Sequence, residues 1–185
     1  NRATREIQTP YALIADDDVV LLENTNLERA LAIMLARDDI GVLGGSSLEV
    51  SELPDGKEVW EVGRWEKFLL LENKISTLIS IPIDYFAPQT AMVNKSLIFF
   101  CDMTQNWGIW RTRVMKEVGW DESIKINGEH EDFFLSLKQS SNWKVAFYPE
   151  LICRHHPFRS PNYNPLRMRR EGREILGLKW NIKHH

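Results

Sequence analysis

The run Tyr11-Ala12-Leu13-Ile14-Ala15 breaks off at Asp16-Asp17-Asp18, and this junction constrains the fold more than any other stretch of the chain. An uncharged run that follows Pro10 and halts at successive carboxylates predicts a buried strand ending at a polar edge. Asn24 or Thr25 can then cap a helix in which Leu27, Ala30, Leu31, Met34 and Leu35 recur at helical spacing, with Asp38-Asp39 closing it. Ile40-Gly41-Val42-Leu43 opens a second strand. Strand, helix and strand in this order predict an α/β sheet with a largely parallel core.

Further along, Leu48 to Leu71 has the pattern of a hairpin, with Pro54-Asp55-Gly56 as its turn and Val59, Trp60, Val62 and Trp65 as strand residues. Glu72 to Asn94 carries Pro82, Pro88 and scattered apolar residues without a period, the mark of a loop-rich connection. Leu97 to Cys101 predicts a strand and Arg111 to Val118 a helix ended by Gly119. Gly128 precedes a helix that turns His130, Phe133, Phe134 and Leu137 inward. Trp143 to Tyr148 predicts a strand stopped by Pro149, and Leu151-Ile152-Cys153 another that runs into Arg154-His155-His156-Pro157. Residues 158–185 read as a basic tail with Arg159, Arg167, Arg169, Arg170 and Arg173.

At 185 residues and 43% hydrophobic content, the chain can bury one sizeable core and reads as a single domain over 1–185. Its net charge of −3, from 23 basic and 26 acidic residues, argues against a nucleic-acid partner, which selects a basic excess. The longest apolar runs fall far short of the roughly 20 residues that span a bilayer. The chain opens on Asn1 without a methionine or a leader, the pattern of an incomplete chain. Cys101 and Cys153 lack the spacing of a zinc or redox pair and are expected as buried free thiols. Asn94-Lys95-Ser96 is a sequon, usable only in a secretory compartment.

Chemistry concentrates in a few places. Asp16 and Asp18, alternate residues at a strand end, can point together at a hard cation that prefers oxygen ligands. Magnesium or manganese held there against a diphosphate would offset charge on a leaving group. A solvated acidic turn is the plain alternative. Glu129-His130-Glu131-Asp132 opens the later helix, where one carboxylate can act as general base on a hydroxyl nucleophile. Acids also simply complement a helix N-terminus, for a few tenths of a kcal/mol to about 1. His155-His156, at a strand end, offers a neutral imidazole that completes a metal's ligand set or merely packs.

The order Tyr11-Ala-Leu-Ile-Ala-Asp-Asp-Asp18, Gly119-Trp-Asp-Glu122, Glu129-His-Glu-Asp-Phe-Phe134 and Arg154-His-His-Pro157 resembles the glycosyltransferase A fold, a Rossmann-like mixed sheet flanked by helices. From about Ala3 to about Pro157 the chain is similar to the family-two transferases, and most to the β-1,4-N-acetylgalactosaminyltransferases. The resemblance implies that Asp16 and Asp18, with Asp17 as a lesser contact, bind manganese or magnesium with the diphosphate of a UDP-sugar, and that His155 completes the metal site. It implies Asp132, with Glu131 as its rival, as the base of an inverting displacement onto a hydroxyl of a glycan acceptor. It also implies Asp102-Met-Thr-Gln-Asn106-Trp107 as a lining of the sugar and acceptor pocket, with Asp102, Asn106 and Trp107 as contacts. Trp107 and Trp110 are candidates to stack on sugar faces, Trp110 more readily as core.

The family's first strands and helix, which bind base and ribose, have no counterpart before Asp16. The resemblance therefore implies a domain lacking its N-terminal nucleotide-binding strands, with Arg2 and Arg5 as remnants that reach the nucleotide. Tail residues such as Arg159 or Arg167 can close over phosphate as a lid or form a solvated helix. Eukaryotic relatives work in the Golgi lumen behind an N-terminal membrane anchor, the compartment expected here, and bacterial ones in the cytoplasm. Two other readings remain. Leu13-Ile-Ala-Asp16-Asp-Asp18-Val-Val20 also fits the start of the haloacid-dehalogenase phosphohydrolases, with Asp16 as nucleophile on phosphorus, but Glu131-Asp132 opens a helix where that fold needs an acidic pair after a strand. The other is an inactive sugar-binding domain of the transferase fold.

Overall fold

The apolar run ahead of the aspartates forms strand β1 (Tyr11–Ala15) in a computed structural model that describes residues 1–52, 58–62, 89–156, 165 and 169–182. Helix α1 (Arg2–Glu6) precedes it. After it come β2 (Val19–Leu21), α2 (Leu27–Ala36), β3 (Ile40–Glu52), β4 (Glu58–Val62), β5 (Thr90–Val93), β6 (Ser96–Cys101) and β7 (Trp107–Arg111). The order closes with α3 (Thr112–Val118), α4 (Glu129–Ser140), β8 (Lys144–His155) and α5 (Glu171–Trp180). The strands join in one mixed, open sheet of order β1-β7-β3-β8-β6-β5, with β4 beside β3 and β2 beside β8.

Among the described residues only β3 and β8 pair in parallel, so the largely parallel core is corrected. The strand, helix, strand order sets direction without setting adjacency. β1 and β3 do run the same way, but β7 enters between them antiparallel to both. That entry needs backbone contact: Gly44 and Gly108 are paired, Gly108 has φ 152°, and a Cβ there would overlap the Leu43 carbonyl.

Period-two alternation sends side chains to two cores. Val42, Trp110 and Phe147 face α3, α4 and α5, where Phe133, Phe134, Val114 and Leu176 meet them. Leu43, Ile109, Ala146 and Tyr148 face the other way, onto Ala30, Ile33 and Met34 of α2. The sheet is therefore covered on both faces, which leaves its strand ends as the natural places for a site.

Local corrections follow from tertiary partners. Asn26 caps α2, its Oδ1 accepting from Arg29 N at 2.8 Å, while Thr25 Oγ1 donates to the Ile152 carbonyl at 2.6 Å. Pro149 does not end a strand: Tyr148 pairs with Gly45 and Ile152 with Ser46, so β8 bulges where proline has no N–H to give. Thr90–Val93 is strand, not loop. It turns into β6 through Asn94 and Lys95, both at positive φ, the backbone of a tight hairpin turn. β3 and β4 pair antiparallel as a hairpin, from Leu48 opposite Val62 to Glu52 opposite Glu58. The turn Pro54-Asp55-Gly56 lies outside the described residues, as do Trp65, Pro82, Pro88, Arg159 and Arg167. Part of the basic tail is α5, which buries Gly172 and Leu176. Both cysteines are buried and in no disulfide among the described residues, and burial pushes the Cys153 thiol up to about 12. No helix among the described residues is long and apolar enough to cross a membrane.

Candidate functional site

β1 delivers its aspartates to the end of the sheet. Ala15 stands opposite Trp107, so Asp16 follows at the level of Asn106, whose Nδ2 donates to Asp16 Oδ1. The chain then turns, Val19 N donating to the Asp16 carbonyl at 3.2 Å, and Val19 lands opposite His155 at the end of β8. His156 N donates to the Asp18 carbonyl at 2.9 Å and fixes this crossing. As a result His155 Nε2 lies 3.3 Å from Asp18 Oδ2. On the other side of β8, Glu49 of β3 stands opposite His155, its Oε1 3.8 Å from His155 Nδ1. Asp16, Asp18 and His155 thus gather at the carboxyl ends of β1 and β8, where open α/β sheets place their ligands. Asp17 is exposed beside them.

The donor set suits a hard cation. Asp18 Oδ1 and Asn106 Oδ1 are buried without a hydrogen-bond partner among the described residues. Each such acceptor costs the fold about 1–3 kcal/mol unless a ligand satisfies it. Two ligands at about 2.1 Å on adjacent octahedral vertices stand about 3 Å apart. The 3.3 Å between Asp18 Oδ2 and His155 Nε2 is within a few tenths of an ångström of that. Among the described residues no three His, Cys, Asp or Glu side chains form a ready-made cage. The arrangement fits a cation that takes its remaining ligands from a diphosphate and water, as magnesium commonly does.

Other expected residues fall elsewhere. Asp102 follows Cys101, which stands opposite Val145 near the start of β8, and its Oδ2 sits 2.7 Å from Lys138 Nζ of α4; it does not join Asp16. Trp107 is 2% exposed and its indole N–H donates to the Leu151 carbonyl at 3.2 Å, so no ring face is open to a sugar. Trp110 is core, stacked on Trp120 and packed on Phe133. Arg2 and Arg5 lie on α1, at the end of β1 opposite the aspartates, with Asn1 Nδ2 tied to the Trp120 carbonyl at 2.6 Å. A strand of five residues spans about 17 Å. That length of strand separates them from Asp16. Glu49, and Ser47 whose Oγ donates to Gln105 Oε1 at 2.7 Å, carried no signal in the sequence. Their places depend on the β3–β8 register beyond the Pro149 bulge.

The acidic opening of α4 divides in two. Asp132 is 1% exposed: Oδ1 accepts from the Trp180 indole at 2.7 Å and Oδ2 from Lys179 Nζ at 3.0 Å. Lys179 also holds Asp121 Oδ2 at 2.8 Å. Burial alone would lower the Lys179 pKa, but Asp121 and Asp132 outweigh it and hold the ammonium above its ordinary value. Lys179, then Ser123, hold Asp121 down at about 2. Gly172 brings α5 this close, since a Cβ there would overlap the Ile126 and Asn127 carbonyls. Glu131 is half-buried, and its carboxylate makes no hydrogen bond or ion pair among the described residues. Neither a protein-family model nor a curated protein matches the chain.

Proposed function

We propose that the chain is a metal-dependent glycosyltransferase that moves a hexose or N-acetylhexosamine from a UDP-sugar to a glycan hydroxyl with inversion. The observation that carries this reading is the meeting of Asp18 with His155 at a strand end beside Asp16, with a buried Asp18 oxygen that has no donor among the described residues. The order of motifs along the chain supports the nucleotide-sugar donor.

Asp18 and His155 hold manganese or magnesium, and Asp16, held by Asn106, lies two residues before Asp18. Bound there, the cation supplies positive charge against the departing diphosphate. Glu131 takes the proton from the acceptor hydroxyl in preference to Asp132, which is 1% exposed and enclosed by Lys179 and Trp180. Asp132 anchors α5.

Calorimetric titration of UDP into the chain, with and without manganese, tests the reading. Manganese-dependent binding in the native chain, lost in Asp16→Ala and Asp18→Ala, supports it. Binding that ignores both manganese and these substitutions sinks it. In transfer assays with UDP-sugars, Glu131→Gln is expected to lose about 10²–10⁴-fold in turnover.

A further inference from the structure

We infer that Glu49 is a positioning residue: it accepts the Nδ1 proton of His155 and thereby aims the Nε2 lone pair at the metal beside Asp18. The inference rests on the metal reading given above. An imidazole has two nitrogens, and which one is free to bind a cation is set by what the other donates to. In this chain each nitrogen faces its own carboxylate, Nε2 at 3.3 Å from Asp18 Oδ2 and Nδ1 at 3.8 Å from Glu49 Oε1. The two acids do different work because they come from different places. Asp18 belongs to the turn after β1, two residues beyond Asp16. Glu49 is the direct β3 partner of His155 in the parallel ladder, so the backbone register holds it beside the ring whether or not a ligand is bound. Its side chain is 46% exposed, free to shift by the short distance that turns 3.8 Å into a hydrogen bond of about 2.9 Å. A carboxylate behind a ligating histidine fixes the tautomer and makes the ring a better donor to the cation.

The test is manganese binding by the full chain, followed by electron paramagnetic resonance with and without UDP, reading both affinity and the ¹⁴N coupling of a bound imidazole. The native chain is expected to bind with nitrogen coupling. Glu49→Ala should bind about 10–100-fold more weakly with that coupling diminished. Glu49→Gln, whose amide oxygen still accepts the Nδ1 proton, should stay within about threefold of native. Circular dichroism checks that each variant folds, and Glu49→Asp, one methylene shorter, replaces the alanine variant if that one does not. Equal affinity and coupling in Glu49→Ala and the native chain overturns the role of Glu49 and leaves the metal site standing. Glu49→Gln as weak as Glu49→Ala also overturns it, since charge rather than proton acceptance would then be at work. A native chain that binds no manganese in either condition overturns the metal reading and this inference together.

Discussion

Replacing Asp132 by asparagine or alanine separates a structural carboxylate from a catalytic one. Asparagine keeps the shape and an acceptor for the Trp180 indole but removes the charge facing Lys179. A hydrogen bond to a charged group contributes about 1.5–3 kcal/mol. Lys179 is 37% exposed and keeps Asp121, so screening trims the loss to about 1–2 kcal/mol. Alanine also leaves the half-buried Trp180 indole N–H without its acceptor, adding about 1–3 kcal/mol. Its total, about 2–5 kcal/mol, approaches the cost of breaking a buried ion pair. In a chain of 185 residues each kcal/mol moves the melting temperature by roughly 2–4 °C. Thermal unfolding followed by circular dichroism should therefore show a drop of about 2–8 °C for Asp132→Asn and a larger one for Asp132→Ala. Trp180→Phe removes the same bond from the other side. A double-mutant cycle on Asp132→Ala and Trp180→Phe should show coupling of about 0.5–3 kcal/mol. If Asp132→Asn melts like the native chain yet abolishes sugar transfer, Asp132 is the base and the anchoring role is refuted.

Arg111 donates to the carbonyls of Ile40 and Met34 at 2.7 Å each and of Arg37 at 3.0 Å, tying the end of α2 to the sheet. Arg111→Met orphans those acceptors and should cost about 2–4 kcal/mol in urea unfolding, with little recovery in Arg111→Lys because a lysine lacks the planar fork; a loss under about 0.5 kcal/mol contradicts this. The Arg37 hydrogen bond holds Asp39 below the usual carboxylate range, and Lys179 holds Asp121 at about 2. Depressed carboxylates contribute stability that is complete above their unfolded value near 4 and lost as pH falls through the folded one. The melting temperature should hold from pH 7 to about 5 and fall between about 4 and 2, less steeply in high salt; no fall in that window refutes the pairing. Burial pushes the Cys153 thiol up to about 12, so a thiol reagent at pH 8 should label it only after denaturant is added.

What the sequence disclosed is what is local. The strand at Tyr11 to Ala15 and the helices α2 and α4 declare themselves through period and punctuation and form where expected. But β1 is an edge strand among the described residues, partly exposed rather than buried, because β7 pairs with it on one side only, and Leu35 of the α2 stripe faces solvent. β7 escapes notice because Trp107-Gly108-Ile109-Trp110 is buried on both faces, which erases alternation, and because its glycine serves a contact made by β3. Pro149 misleads for a similar reason: whether a proline ends a strand or sits in a bulge is decided by the neighbouring strand. Within the site, Asp16, Asp18 and His155 stand out as residues, whereas Glu49 and Gln105 become visible only once β3 and β8 are in register. Lys179 and Trp180, in a tail that reads as merely basic, supply both partners of Asp132.

By composition the triple aspartate and the Glu129–Asp132 cluster look alike, yet their surroundings give opposite expectations for the same substitution. Both oxygens of Asp132 are bonded, so neutralising it removes stabilising contacts. Asp18 Oδ1 is buried with no donor among the described residues, a cost to the folded chain that a bound cation would relieve. Asp18→Asn in metal-free buffer should therefore leave the melting temperature unchanged or raise it, by up to the equivalent of about 1 kcal/mol, even though a 3.3 Å contact with His155 is altered. Added manganese with UDP should raise the melting temperature of the native chain, by the equivalent of about 2.7 kcal/mol at a hundred times the dissociation constant, and leave Asp18→Asn where it was. Asp132→Asn should show the reverse pattern: a lower starting temperature and a full response to the ligand. If Asp18→Asn is instead destabilised as much as Asp132→Asn and the native chain does not respond, both carboxylates are structural and the strand end is not a metal site.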